Sequence, residues 1–158
     1  MEGLNLVKIN KEIALKHAVD MFEEGYNCAE ASLLGLAVGM ERRDEVLPAS
    51  FTCFGGGMGR SDLICGAVSG SLAGLGLAVD RKDPKDKEGK ERAYKLAKDF
   101  IKDFMEMKDS VYCTDLCGCN ISTEDGIKAF NENIAHMETC KGVVKFSVEL
   151  AAGMIEKA

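Results

Sequence analysis

The stretch Phe51–Val79, FTCFGGGMGRSDLICGAVSGSLAGLGLAV, constrains the fold more than any other part of the chain. A glycine run, Gly55, Gly56, Gly57 and Gly59, leads into a long segment of small and apolar residues. Gly66, Gly70 and Gly74 recur every four residues and so share one helix face. Each glycine lowers helix stability by roughly 1 kcal/mol relative to alanine. A helix that carries several must recover that loss by letting a neighbour approach its backbone closely. The spacing therefore predicts a central buried helix from Leu63 to Val79, capped by Ser61 or Asp62, with Cys65 in its first turn.

Two other readings of this stretch fail. A phosphate-binding P-loop requires G-x-x-x-x-G-K-[ST]; here the run is one residue short and Arg60 stands for Lys. Counted from Gly55, Arg60 also occupies the last glycine of a G-x-G-x-x-G dinucleotide fingerprint, and no strand precedes it. Close backbone approach, to a helix or to a metal cluster, accounts better for the glycines. As a membrane span the segment is short, and Ser69, Ser71 and its glycines dilute it. No membrane span is expected.

The rest of the chain reads as helices. Ala14, Ala18 and Phe22 form a stripe over residues 10–24, which Gly25 ends. Asn27 caps a second helix from Cys28 to Val38, closed by Gly39. Residues 40–47 form a charged connection, and Pro48 opens a short helix carrying Phe51 and Cys53. A hydrophilic hinge over 80–92 precedes an amphipathic helix from Glu91 to Met107, with Ala93, Leu96, Ala97, Phe100, Ile101 and Phe104 on one face. Ser122 with Asp125 reads as a capping box for a helix carrying Ile127, Phe130 and Ile134. In a last helix, Thr139 to Glu156, Cys140 stands in line with Val144, Val148, Ala151 and Ile155. The expected fold is all-α: a single-domain compact bundle over residues 1–158, with about five to seven helices around the Gly/Ala-rich central one.

Seven cysteines, at 28, 53, 65, 113, 117, 119 and 140, are the compositional anomaly. The N-terminal stretch MEGLNLVKINKE has no apolar core of a secretory signal, so a cytoplasmic location is expected. In that compartment clustered thiols serve redox or metal chemistry more often than disulfide scaffolding. Cys28, Cys65 and Cys140 all fall at expected helix N-termini, where free N–H groups and the helix dipole acidify a thiol. Cys113, Cys117 and Cys119, spaced C-x3-C-x-C in a turn, match no zinc knuckle, ferredoxin run or haem attachment motif. His17 and His136 read as surface or hydrogen-bonded residues rather than ligands. The net charge of -6 and the absence of Trp argue against nucleic acid as a partner.

Asn27-Cys28-Ala29-Glu30-Ala31, FGGGMGR with Cys65-Gly66-Ala67-Val68-Ser69-Gly70, Cys113-Thr114-Asp115-Leu116 before Gly118, and Cys140 together resemble the C_GCAxxG_C_C family of redox-active proteins. The resemblance spans residues 10–155. It implies that Cys28, Cys65, Cys113 and Cys140 are the shared cysteines. A related module in split-Soret cytochromes implies an iron–sulfur centre, although their haem motifs are absent here. Cys53, Cys117 and Cys119 are extra thiols, either secondary ligands, resolving thiols or core filler.

Three functions stay open at this point. The thiols could ligate an iron–sulfur cluster and exchange electrons with a redox partner protein. They could instead cycle between dithiol and disulfide, or hold zinc or another soft metal without catalysis. The small-residue helix face could pack within the chain or across a homodimer.

Overall fold

A computed structural model describes residues 6–158. The first residues of the N-terminal stretch read above lie outside them. Seven right-handed α-helices account for most of the described chain: α1 (Lys11–Glu24), α2 (Cys28–Gly39), α3 (Gly66–Val79), α4 (Lys87–Lys108), α5 (Cys113–Cys117), α6 (Glu124–Glu132) and α7 (Ile134–Lys157). Short 3-10 segments at Arg43–Glu45 and Pro48–Phe54 connect α2 to the glycine run. The chain is all-α.

α1 and α2 form a tight antiparallel pair, and α2 packs in turn on α3. Asn10 caps α1, and Gly25 ends it in the left-handed conformation, φ 109°, as only glycine does freely. The α1–α2 contact is backbone-close. A Cβ on Gly35 or Gly39 would clash with Ala18 or Ala14. α2 is buried nearly all round, from Ala29 to Ala37, so it carries no amphipathic stripe.

The glycines of α3 behave as their spacing predicts. Gly66 and Gly70 lie against Cys28 and Ala29 at the start of α2, and Gly74 lies against Leu36. α7 covers the other side, with Val144, Val148, Ala151 and Ala152 fully buried. Ser147 Oγ donates to the Ala67 carbonyl at 2.7 Å and pairs with Ser71 Oγ at 2.8 Å, so the polar groups of this dry α3–α7 contact are satisfied. α4 adds Leu96, Phe100 and Phe104, while Ala93, Ala97 and Ile101 are half-buried.

Four boundaries differ from expectation. α4 begins at Lys87 rather than Glu91, because Asp86 Oδ1 accepts from Gly89 N–H at 2.8 Å and caps it inside the expected hinge. α3 begins at Gly66 rather than Leu63, because Ile64 pairs with Tyr112 in an isolated antiparallel bridge and Cys65 N–H donates to Val111 O at 2.8 Å. That pairing holds residues 63–65 extended. Asp62 therefore does not cap α3; its Oδ1 accepts from Thr114 N–H at 3.1 Å in the first turn of α5. The cap of α6 is Thr123 rather than Ser122. α7 starts at Ile134, capped by Asn133, so Cys140 lies well inside the helix and not at its N-terminal end.

The glycine run itself is a left-handed turn. Gly56, Gly57, Met58, Gly59 and Arg60 all have φ between 63° and 67°. For a residue with a Cβ this conformation costs roughly 1–2 kcal/mol, and consecutive left-handed residues are rare outside glycine. The sequence supplies glycine at three of these positions, and Met58 and Arg60 bear the strain.

Candidate functional site

The left-handed turn folds over the N-terminal end of α2 and brings Gly57 against Cys113. A Cβ at Gly57 would stand 2.6 Å from Cys113 Cβ, so only glycine lets the turn sit this close to the thiol. The turn is anchored from the other side by a polar network. Asn27 Nδ2 donates to Thr52 O at 2.9 Å, and Thr52 Oγ1 donates to Glu30 Oε1 at 2.5 Å. Glu30 Oε2 accepts from Asn27 N–H at 2.9 Å, and Asn27 Oδ1 accepts from the Ala29 and Glu30 amides. This capping box fixes the first turn of α2, where Cys28 is the first residue.

A cavity of about 540 Å³ opens beneath the turn. Cys28, Cys65, Cys113, Cys117 and Cys140 all line it. They come from five places in the chain order but from only four helices or their caps: Cys28 opens α2, Cys65 caps α3, Cys113 and Cys117 bound α5, and Cys140 lies in α7. All are free thiols. Cys53 is exposed and Cys119 turns its thiol to Gly126 O at 3.1 Å; neither lines the cavity. His17 does not line it either, and His136 Nδ1 pairs with the Cys117 carbonyl at 3.0 Å while its ring stacks on Phe130.

The thiols fall into two groups. Cys28 and Cys65 face each other. The Cys65 thiol and the amides of Gly56, Ala29 and Gly66 all point at Cys28 sulfur, which lowers its pKa to about 6 against the opposing effect of burial. The same contact, together with burial, pushes Cys65 up. The cradle of N–H groups makes Cys28 the natural thiolate of the pair. The second group is Cys113, Cys117 and Cys140, in which Cys117 stands between the other two. The Cys113 and Cys140 thiols favour a Cys117 thiolate and are themselves raised by it. A contact of 3.0 Å from Cys117 Sγ to Cys119 O opposes this, because a carbonyl oxygen accepts from a thiol and repels a thiolate. The Cys119 N–H favours the thiolate in turn, so Cys28 and Cys117 are the two anion sites of the cavity.

Among the described residues, no three His, Cys, Asp or Glu side chains are grouped to hold a single metal ion. The five thiols line one cavity. The helix-end argument from sequence covers Cys28 fully and Cys65 as a cap. It fails for Cys140, and it overlooks Cys113, the first residue of α5. Cys117 could have been drawn to the site by its spacing: four residues from Cys113 along a helix, it returns to the same face.

No helix among the described residues is long and apolar enough to cross a membrane. A family model described as "Putative redox-active protein (C_GCAxxG_C_C)" matches residues 26–154. No curated protein and no solved structure matches the chain.

Proposed function

Since this chain belongs to the C_GCAxxG_C_C family of redox-active proteins, we propose that it is an electron-transfer protein whose Cys28, Cys65, Cys113 and Cys140 hold an iron–sulfur cluster. One observation carries the reading: thiols from four separated segments line a single cavity beneath a strained, glycine-built turn. Four thiolates suit a zinc ion or a two-iron or four-iron cluster. When bound, such a cluster supplies electron storage and release.

The chain's own residues do the rest. The cysteines hold the cluster from α2, α3, α5 and α7. The amides of Gly56, Ala29 and Gly66 donate to Cys28 sulfur, and such donors stabilise negative charge on it. The left-handed turn walls one side of the cavity. Cys117 is a spare thiol in this scheme, and Cys53 and Cys119 stand outside it.

A second reading has its own support. Cys28, acidified and facing Cys65, is placed to form and release a disulfide with it. Anaerobic purification followed by iron and acid-labile sulfide analysis decides between them. Brown protein with iron and sulfide in stoichiometric amounts is the expected result. Colourless protein lacking sulfide, with a reversible two-thiol change on reduction, overturns the cluster in favour of the dithiol.

A further inference from the structure

The cavity is larger and differently walled than thiol ligation requires. Sulfurs and N–H donors hold an inorganic cluster, and an apolar wall only screens it from water. Yet Phe22, Tyr26, Phe130 and Met137 line the same space beyond the cysteines. The volume of about 540 Å³ lies in the range of small-molecule sites, which are mostly apolar with a few polar groups that fix orientation.

Arg60 is the one charged side chain lining the cavity among the described residues. It makes no ion pair or side-chain hydrogen bond with any of them. Its backbone is strained, φ 67°, where glycine would sit without strain. Strain of this kind persists where the surroundings enforce it, and it gathers at ligand sites. Arg60 and Ile121 are also the two side chains nearest to the place a Gly56 Cβ would occupy, with Arg60 Cγ 3.3 Å and Ile121 Cδ1 3.2 Å away. They stand together at the glycine turn, and the Gly56 amide points from there to Cys28.

We infer that the cavity is a binding site for a small organic anion, its carboxylate paired with Arg60 and its apolar body lying along Tyr26, Phe130 and Met137 toward the thiols. This deepens the reading above by naming the class of molecule that meets the redox centre, and it rests on that reading only for the centre itself. The guanidinium supplies a planar fork that matches a carboxylate, and the wall supplies the area that free carboxylates in bulk solution do not find.

The test uses anaerobically purified protein, with iron and sulfide assayed on the same sample. Cinnamate and cinnamyl alcohol share one skeleton and differ in charge, and calorimetric titration compares them. Cinnamate should bind at least roughly tenfold tighter than the alcohol, the difference a charge-assisted pair provides. Arg60→Gln should abolish that preference, and Arg60→Lys should keep part of it. Ile121→Asp, which places a negative charge at the same mouth, should weaken cinnamate and leave the alcohol unchanged. Equal affinity for the two compounds, binding of neither, or undiminished cinnamate binding by Arg60→Gln overturns the inference. Because metal content is read separately, loss of the cluster reading and loss of the anion site are distinguishable.

Discussion

At the scale of single residues, backbone conformation decides what the site tolerates. Gly57 is doubly constrained, by φ 66° and by the nearness of Cys113. Gly57→Ala should destabilise the protein by about 2 kcal/mol or more, from left-handed strain plus the clash, and thermal unfolding with iron content would read both losses. Met58→Gly tests the converse. Relief of strain should outweigh the added freedom of the unfolded chain and raise stability by about 0.5–1 kcal/mol, measured by denaturant unfolding. The cysteines separate by position. Cys28→Ser, Cys65→Ser, Cys113→Ser and Cys140→Ser should each lose iron and sulfide on anaerobic purification. Cys53→Ser and Cys117→Ser should retain them. Retention by Cys65→Ser, or loss by Cys117→Ser, would redraw the ligand set. In metal-free reduced protein, iodoacetamide should modify Cys28 with an apparent pKa of about 6, and a profile above 8 would remove the N–H cradle from the argument.

At the scale of elements, Arg42 ties the C-terminal ends of α2 and α3 together. It is buried, its Nη1 donates to Leu77 O at 2.8 Å, and its Nη2 pairs with Glu45 at 2.5 Å and Asp80 at 2.6 Å. Asp80 ends α3 in the left-handed conformation, so the arginine fixes both a helix end and its cap. Arg42→Ala should destabilise by about 2 kcal/mol, since a hydrogen-bonded charged group is lost and Leu77 O loses its side-chain donor. The pH dependence follows in sign. Arg42 holds the Glu45 and Asp80 carboxyls below their ordinary values. Their contribution is full above the unfolded-state values, roughly pH 4, and fades as pH falls through the lower folded values. The stability gap between the native chain and Arg42→Ala should therefore narrow below about pH 4 and stay constant near neutrality. A gap that widens in acid would contradict the ion pairing.

At the scale of the whole molecule, the site binds together parts of the chain far apart in sequence, from Cys28 to Cys140. α5 and α6 pack less deeply than the α1–α2–α3–α7 core, and α6 has no fully buried side chain. Cluster loading should then stabilise these helices most. Stripping iron with a chelator should lower the melting temperature and raise amide exchange chiefly in residues 113–132, with little change in α1 and α2. Uniform exchange across the chain would argue against ligation from α5.

Much of this architecture was legible in the sequence. Helix periodicity placed α1 and α2 to within a residue and found the apolar faces of α4 and α7 but not their first turns, because which face is apolar is a local property of the pattern. The glycines at 66, 70 and 74 announced a backbone-close helix contact, since nothing else repays their helix-breaking tendency. The resemblance picked out Cys28, Cys65, Cys113 and Cys140, and all four line the cavity. What the sequence did not carry came from contacts between distant segments. The bridge of Ile64 to Tyr112 and the Cys65 bond to Val111 delay α3 and turn Cys65 from a first-turn residue into its cap. Asp62 caps a helix fifty residues away rather than its own, by its bond to Thr114. Asn133 starts α7 early and carries Cys140 away from the helix end. The glycine run, legible as a place of close approach, forms a left-handed turn from Gly56 to Arg60, and Cys113 and Asn27 leave no room for a Cβ at Gly57 or Gly55. Local chemistry thus determined the helices and their faces, whereas tertiary packing decided which thiols meet, because long-range pairing sets each sulfur's position and no local pattern encodes it.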